Sequence, residues 1–365
     1  MTMREEFVDY LDRTIPSRMS ELHVPGAALA IVSGNSVTAV RCYGVTDADT
    51  QSPVTARTRF SLQSISKSFT AWGVMKLVET GQVRLDAPIN DYLRRWRLTD
   101  TAYPASEVTV RRLLSHHGGI SSSGINSVHP DRVGDTLIDG LNGTLPALTE
   151  EQQRYYDRWN LSPGEPVRIE VEPGAGWQYA NGGFAMLELM VEDVTGRAFA
   201  DYMGSEILEP LGLVTAGYGS DPDLDASPHG PEGVRLADYR KICKAAGGLY
   251  ASVQELAHFT CAQMRGYRDV ASDLPISHAS FQEMFTSHGL ADKVEDRQFE
   301  AGLGHLLLRV NNELNVHHSG GSIGWRSIYS VFPALGEGFC MLMNSDEANE
   351  LWIPLVSDWR RHLFS

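Results

Sequence analysis

The sequence predicts a mixed α/β fold in which the two ends of the chain build the sheet and the middle is mostly helical. β-Patterned runs stand near the N-terminus, at 27–33 and 37–43, and return near the C-terminus at 304–309, 314–317, 327–332 and 338–343. Amphipathic helical patterns fill much of the interval between them. At 365 residues, 42% hydrophobic and 21% charged, the chain is long enough for one large or two intimately packed domains with a substantial core.

Taken in order, the first helix carries Phe7, Tyr10, Leu11 and Ile15 on one side and is broken by Pro25-Gly26. Gly34-Asn35 joins the first two β runs as a hairpin. After a turn-rich stretch at 44–58, a strand-like run through Phe60 gives way to a helix bearing Phe69, Trp72 and Met75, stopped by Gly81. Asp86, with Pro88 behind it, reads as the cap of a short helix reaching Trp96. Another helical piece, 109–115, ends at His116-His117-Gly118-Gly119. Residues 121–165 are irregular, with a late cluster of Tyr155, Tyr156 and Trp159; long excursions of this kind commonly form a lid or pocket wall. Helices are predicted at 183–195, closed by Gly196, and at 199–211. Residues 219–233 read as a loop, Ser252 as the cap of a helix through Leu256 and Phe259, 265–300 as irregular, and 351–363 as a closing amphipathic helix.

The net charge of −15, from 31 basic against 46 acidic residues, argues against nucleic acid or an anionic membrane as partner, and no Lys/Arg run reverses it. A small or neutral ligand is expected. The first residues lack the apolar stretch of a signal peptide, and no window approaches a membrane span. Cys42, Cys243, Cys261 and Cys340 have neither C-x-x-C spacing nor disulfide-scaffold density, so a reduced, cytoplasmic compartment is predicted.

Three short strings carry chemistry. Ser64 and Lys67 lie three apart where the strand-like run meets the helix, which puts hydroxyl and amine on one face. A serine hydroxyl is a poor nucleophile near neutral pH, and a lysine kept partly neutral by burial can take its proton. The free N–H groups and positive dipole of a helix N-terminus suit a developing oxyanion. On its own such an S-x-x-K string is expected about once or twice by chance in a chain of this length. Tyr179-Ala180-Asn181 precedes a helix, where Asn181 could equally be a cap. His318-Ser319-Gly320-Gly321 closes a β run, where its glycines permit close backbone approach to a ligand or simply a bulge. His116-His117 and His317 lack the spacing and carboxylate partners of a metal set and read as structural, and no cofactor motif is present. Trp177 and Trp325 flank the second and third strings as pocket lining or as core.

In order and separation, Ser64-Ile65-Ser66-Lys67, Tyr179-Ala180-Asn181 and His318-Ser319-Gly320 resemble the three active-site motifs of the serine β-lactamase-like and penicillin-binding-protein superfamily, nearest its class C β-lactamase, D,D-carboxypeptidase and esterase branch. Val24-Pro25-Gly26-Ala27-Ala28, Leu113-Leu114-Ser115-His116, Ala246-Gly247-Gly248-Leu249 and Gly302-Leu303-Gly304 look like family landmarks. The resemblance implies a central antiparallel sheet flanked by helices, built from 1–85 and 240–365, beside a mostly helical domain at 86–239, with the site between them. It implies Ser64 as the acylated nucleophile, Lys67 lowering its effective pKa, and Tyr179 as general base and then acid. Asn181, His318, Ser319, Gly320 and Gly321 would bind substrate, with the N–H groups of Ser64 and Gly321 as oxyanion hole. His318 stands where class C β-lactamases have lysine, which removes an obligatory cation for a β-lactam carboxylate. The expectation is therefore a cofactor-independent serine hydrolase acting on a small ester or amide, of the esterase or D-amino-acid peptidase type. An acyltransferase would differ only in the acceptor. A non-catalytic ligand-binding homologue is the rival from another class, and the presence of nucleophile, lysine and tyrosine together weighs against it.

Overall fold

A computed structural model describes residues 3–365 apart from 122–126, 129–133, 135, 146, 148, 151–152, 155–164, 271–272 and 295–296. The cluster of Tyr155, Tyr156 and Trp159 lies outside the described residues.

Helix α1 (Met3–Glu21) leads into the hairpin of β1 (Gly26–Ser33) and β2 (Ser36–Gly44). Gly34 and Asn35 both take positive φ, 59° and 65°, as a two-residue turn matched to strand twist requires. The short β3 (Arg59–Ser61) then turns into α2 (Ser66–Glu79). The middle of the chain contributes α3 (Val110–Leu114), β4 (Ser127–Val128), α4 (Leu137–Asn142), α5 (Asn181–Thr195), α6 (Phe199–Met203), β5 (Gly217–Tyr218) and β6 (Arg240–Lys241). After α7 (Lys244–Gly247), β7 (Leu249–Ser252), α8 (Val253–Tyr267) and α9 (His278–Met284), the chain returns to β structure. The returning strands are β8 (Leu290–Val294), β9 (Arg297–Ala301), β10 (Leu306–Val310), β11 (Glu313–Ser322), β12 (Trp325–Phe332) and β13 (Glu337–Met343), and α10 (Asn349–Leu363) closes the chain.

The two chain ends meet in one eight-stranded sheet of order β2-β1-β13-β12-β11-β10-β9-β8, antiparallel throughout. The seam is β1 against β13, registered from Ala27↔Met343 to Ser33↔Glu337. Both sheet faces are covered, so β1 is buried along its whole length and reads as a continuous apolar run. Leu29, Ile31, Phe339 and Met341 pack with Leu11 and Ile15 of α1 and Leu355 and Trp359 of α10. Ala28, Ala30, Cys340 and Leu342 face the other way, into the larger core shared with α8 and α2.

Helix α2 is buried nearly all round, from Ser66 through Met75, as a helix enclosed by protein must be. Phe69 stacks on Phe259 of α8 at 3.7 Å, and Trp72 meets Phe259 and Phe281 at 5.0 and 4.8 Å. On its far side Gly73 lies against Met203 and Tyr202 of α6, and the Tyr202 hydroxyl donates to the Gly73 carbonyl at 2.9 Å.

Several expectations are corrected. Residues 86–96 form no α-helix, only a 3₁₀ turn at Ile89–Asp91. Their backbone is spent on a neighbouring segment instead, with Ile89 donating to Val108 and Val110 and Arg111 donating back to Ala87 and Leu85. The Asp86 carboxylate, read as a cap, accepts from Arg111 Nε at 2.6 Å. The helix expected at 199–211 stops at Met203 and continues as a π turn at Gly204–Leu208. The stretch 265–300 is not irregular: it holds α9 and the β8–β9 hairpin. That hairpin forms the sheet edge, where charged side chains are tolerated and obscure the apolar alternation. Strand β11 runs on to Ser322, so His318 to Gly321 lie within it and not at its end, paired with β12 as Gly320↔Ser327 and Gly321↔Arg326.

Gly320 is where β11 presses on the turn that carries Ser64. A Cβ there would fall 2.3 Å from the Leu62 carbonyl oxygen and 2.9 Å from Gln63 Cβ, and Ser327 Oγ donates to the same carbonyl at 2.8 Å. Gly320→Ala is expected to lower stability by about 1–3 kcal/mol, the range of overpacked cores, measured by urea unfolding. An unchanged midpoint would mean that strand and turn are not in contact.

Candidate active site

The site is assembled from the β3–α2 turn, the start of α5, and β11. Gln63 takes φ of 50°, a left-handed conformation that costs a non-glycine residue free energy, and its side-chain amide donates to Ser61 Oγ at 2.7 Å. This kink ends the strand and places Ser64 in the one-turn segment Gln63–Ile65 leading into α2. Ser64 is partly exposed, whereas Lys67 is 0% exposed.

Lys67 Nζ donates to Ser64 Oγ at 3.0 Å and to the Ala246 carbonyl of α7 at 2.8 Å. It also lies over the rings of Tyr179 and Phe184, at 4.9 and 5.5 Å. Burial strips the ammonium of water and brings its pKa down to about 7. The loop before α5 brings in Tyr179 beside the Ser64 hydroxyl. Burial raises the phenol's pKa, and the neighbouring Ser64 opposes that rise. Lys67 joins the group from both sides, hydrogen-bonded to Ser64 and lying over the tyrosine ring.

Asn181 is the first residue of α5; Ala180 is the cap, with no side-chain capping bond, so capping does not explain the asparagine. His318 is buried, and its Nδ1 donates to the Ser319 carbonyl at 2.7 Å. Burial first, and the neighbouring Lys67 charge second, push its pKa down to about 3, so the imidazole is neutral across the physiological range. Ser319 is half-buried and Gly321 exposed on the same strand. Trp177 sits 5.9 Å from the Tyr179 ring, while Trp325 is core, edge-on to Phe60 and Tyr250. His117 Nδ1 donates to the Ser115 carbonyl at 2.9 Å and His317 packs edge-on against Phe299. Among the described residues no three His, Cys, Asp or Glu side chains converge as a metal set, and no helix is long and apolar enough to cross a membrane.

Several residues at the site escape a motif search. Ala246 contributes only a carbonyl, which every residue has. Glu188 of α5, raised to about 7 by burial, accepts from Ala245 N–H at 2.8 Å and so holds the segment that holds Lys67. Lys241 Nζ donates to Ser322 Oγ at 2.7 Å, one residue beyond Gly321, and burial brings it to about 8. The landmark strings around His116 and Ala246 were the only sequence signals for this shell.

Comparison with known proteins gives the family and the fold. The family described as Beta-lactamase matches residues 11–354. The chain belongs to the beta-lactamase family. Among curated relatives it is 30% identical over 237 residues to Esterase EstB of Burkholderia gladioli, covering 62% of this chain and 57% of that one. It is 32% identical over 194 residues to Penicillin-binding protein 4 of Amycolatopsis lactamdurans, covering 53% and 45%. The chain therefore spans less than two thirds of the length of these relatives. The octameric penicillin-binding protein homologue from Pyrococcus abyssi superposes with a TM-score of 0.73 at 26% identity, over 93% of this chain and 74% of that one. The α/β fold with a large antiparallel sheet is the fold of these relatives.

A lysine whose pKa falls from 10.5 unfolded to about 7 folded destabilises the fold. The unfolded chain binds the extra proton, so the cost is greatest below pH 7 and fades as pH rises toward 10.5. Lys67→Met is accordingly expected to be more stable than the parent at pH 7 by roughly 2–5 kcal/mol, with the gain shrinking steadily toward pH 10. Paired urea unfolding curves across that range measure it; a pH-independent difference would show that the amine is not desolvated.

Proposed function

We propose that the protein is a serine hydrolase that forms an acyl-enzyme on Ser64 with a small ester or amide, of the esterase or D-amino-acid peptidase type. The observation that carries this is the fully buried Lys67 amine, half neutral near pH 7 and 3.0 Å from the Ser64 hydroxyl. A neutral amine there is a base in hydrogen-bond reach of the proton it must take, which gives Lys67 the role of base that the resemblance implied for Tyr179. Tyr179, raised by burial, is a protonated phenol at that pH, which fits it to donate. In the proposed cycle Ser64 Oγ attacks the carbonyl carbon while its proton passes to Lys67 Nζ. The leaving group departs with a proton from Tyr179, which Lys67 replaces, and water then cleaves the acyl ester. Backbone N–H groups of Ser64 and Gly321 would receive the oxyanion, and Asn181 would hold the substrate's carbonyl region. The names of the relatives, an esterase and a penicillin-binding protein, support acyl chemistry of this kind.

The neutral His318 bears on substrate class, because an uncharged imidazole binds a carboxylate weakly. Arg326 does not substitute: its Nη1 donates to the Ser322 and Trp325 carbonyls at 2.8 and 2.6 Å and lies 3.5 Å from Asp346. Small uncharged esters or amides are the proposed substrates, with no nucleic-acid or membrane partner and no cofactor.

Intact-mass analysis after a fluorophosphonate or an activated ester is expected to show one adduct, mapped to Ser64 and absent from Ser64→Ala. A label on Ser61, Ser66 or Ser319 that survives Ser64→Ala would overturn the assignment. For a short-chain p-nitrophenyl ester, kcat/KM is expected to rise with pH through about 7 as Lys67 loses its proton, and at pH 8 to exceed that for nitrocefin by at least about tenfold, or roughly 1.4 kcal/mol. Efficient nitrocefin turnover would defeat the argument from His318 and direct attention to Lys241.

A further inference from the structure

His116 takes no part in the proton transfers proposed above, yet it touches Tyr179 in more ways than any of them requires. It stands two residues past the end of α3, with φ of 60°, and is 6% exposed. Its backbone carbonyl accepts from Gln178 N–H at 2.8 Å, and its ring Nδ1 accepts from Ala180 N–H at 3.2 Å. Those are the residues immediately before and after Tyr179. The imidazole also lies against the phenol ring, with centroids 4.4 Å apart and planes inclined by 33°, while Phe184 and Trp177 close around it at 5.3 and 6.0 Å.

Because a backbone N–H only donates, Nδ1 must keep its lone pair, and the ring hydrogen resides on Nε2. Burial, and then the charge of Lys67, hold the ring in this neutral form. Nε2 is buried without a hydrogen-bond partner among the described residues. A donor left so costs free energy that phenylalanine would avoid. Phenylalanine could not accept from Ala180 N–H, and that acceptor is what distinguishes histidine here. Asparagine would keep an acceptor at a similar reach and tolerates left-handed φ, but has no ring to lay on the tyrosine.

We infer that His116 is a positioning residue for Tyr179, fixing the backbone on both sides of the tyrosine and the face of its ring so that the phenol meets Ser64 Oγ. The inference rests on the reading of Tyr179 as the acid that protonates the leaving group at Ser64. A displacement of about 1 Å at such a group is enough to cost on the order of 10²-fold in rate.

The test is a double-mutant cycle on Ser64 acylation by phenyl acetate, whose leaving group gains from a proton as p-nitrophenolate does not, with kcat and KM read separately for the parent, His116→Ala, Tyr179→Phe and the double variant. His116→Ala is expected to lower kcat by about 10- to 100-fold with KM within about threefold. In the Tyr179→Phe background the same substitution is expected to cost less than about threefold, since no phenolic proton remains to be placed. His116→Asn, which restores the acceptor, is expected to recover at least about threefold over His116→Ala. Parent-like acylation by His116→Ala overturns the inference, and so does an equal loss on both backgrounds, which is what general damage to the fold produces. Should His116→Ala not fold, the cycle is run with His116→Asn, where a loss confined to the tyrosine background supports the inference and an equal or absent loss overturns it. If Tyr179→Phe acylates as fast as the parent, the reading of Tyr179 fails and the inference falls with it; a slow Tyr179→Phe beside an unaffected His116→Ala removes the inference alone.

Discussion

The site depends on keeping one amine where water cannot reach it. At its ordinary pKa the Lys67 side chain would be an ammonium at every physiological pH and no base at all. Bringing it to about 7 requires that the whole turn of α2 around it be enclosed. Enclosure creates a second requirement, because each buried N–H needs an acceptor or a tolerant neighbour. Two are met by Ser64 Oγ and the Ala246 carbonyl, and the ring faces of Tyr179 and Phe184 receive what charge remains. The same contacts that make burial tolerable are the ones that aim the amine at the Ser64 hydroxyl.

This explains why the surroundings of α2 are so rigidly tied. Thr70 Oγ1 donates to the Ala245 carbonyl at 2.9 Å, Leu249 N–H donates to Ser66 Oγ at 3.1 Å, and Glu188 accepts from Ala245 N–H. Together these tie α7 and β7 to α2, and α5 to α7, on one side. On the other, Ser68 Oγ donates to the Gly304 carbonyl at 2.8 Å and stands 2.9 Å from the Tyr329 hydroxyl of β12, which fixes the helix to the sheet. The sheet is closed by strands from both chain ends, so the position of Lys67 relative to β11 is set by contacts from every part of the described chain.

How much of this is legible in the sequence follows from what kind of atom does the work. Ser64, Lys67 and Tyr179 stand out by side chains that few residues could replace, and their spacing survives in the string of letters. The β1–β2 hairpin is legible because Gly34-Asn35 and apolar runs are local signals. Ala246 acts through a carbonyl and Gly320 through the absence of a Cβ, so neither announces which neighbour it serves. The β8–β9 hairpin is hidden for a related reason: the outermost hairpin of a sheet needs to bury little, so Asp292 on the edge strand and Gln298 and Glu300 on its neighbour are admitted and the alternation is lost. Residues 86–96 mislead in the opposite direction. Asp86-Ala87-Pro88 carries a genuine local start signal, but pairing with 108–111 outbids a short, marginal helix.

The identity of residue 318 then acquires a meaning beyond substrate charge. His318 is close enough to Lys67 to feel its charge, and the histidine's pKa is depressed partly for that reason. A permanent cation at this position, as the class C branch has, would add a like charge beside the amine and favour its neutral form further. With an imidazole held neutral by its own burial, Lys67 receives no such help from position 318. Its pKa is then left to desolvation, the first cause of its shift, which lands it near 7 and within reach of the working range of a base. The enclosure of α2 and the histidine in β11 are therefore one arrangement: the drier the lysine, the less its pKa depends on a second cation at position 318.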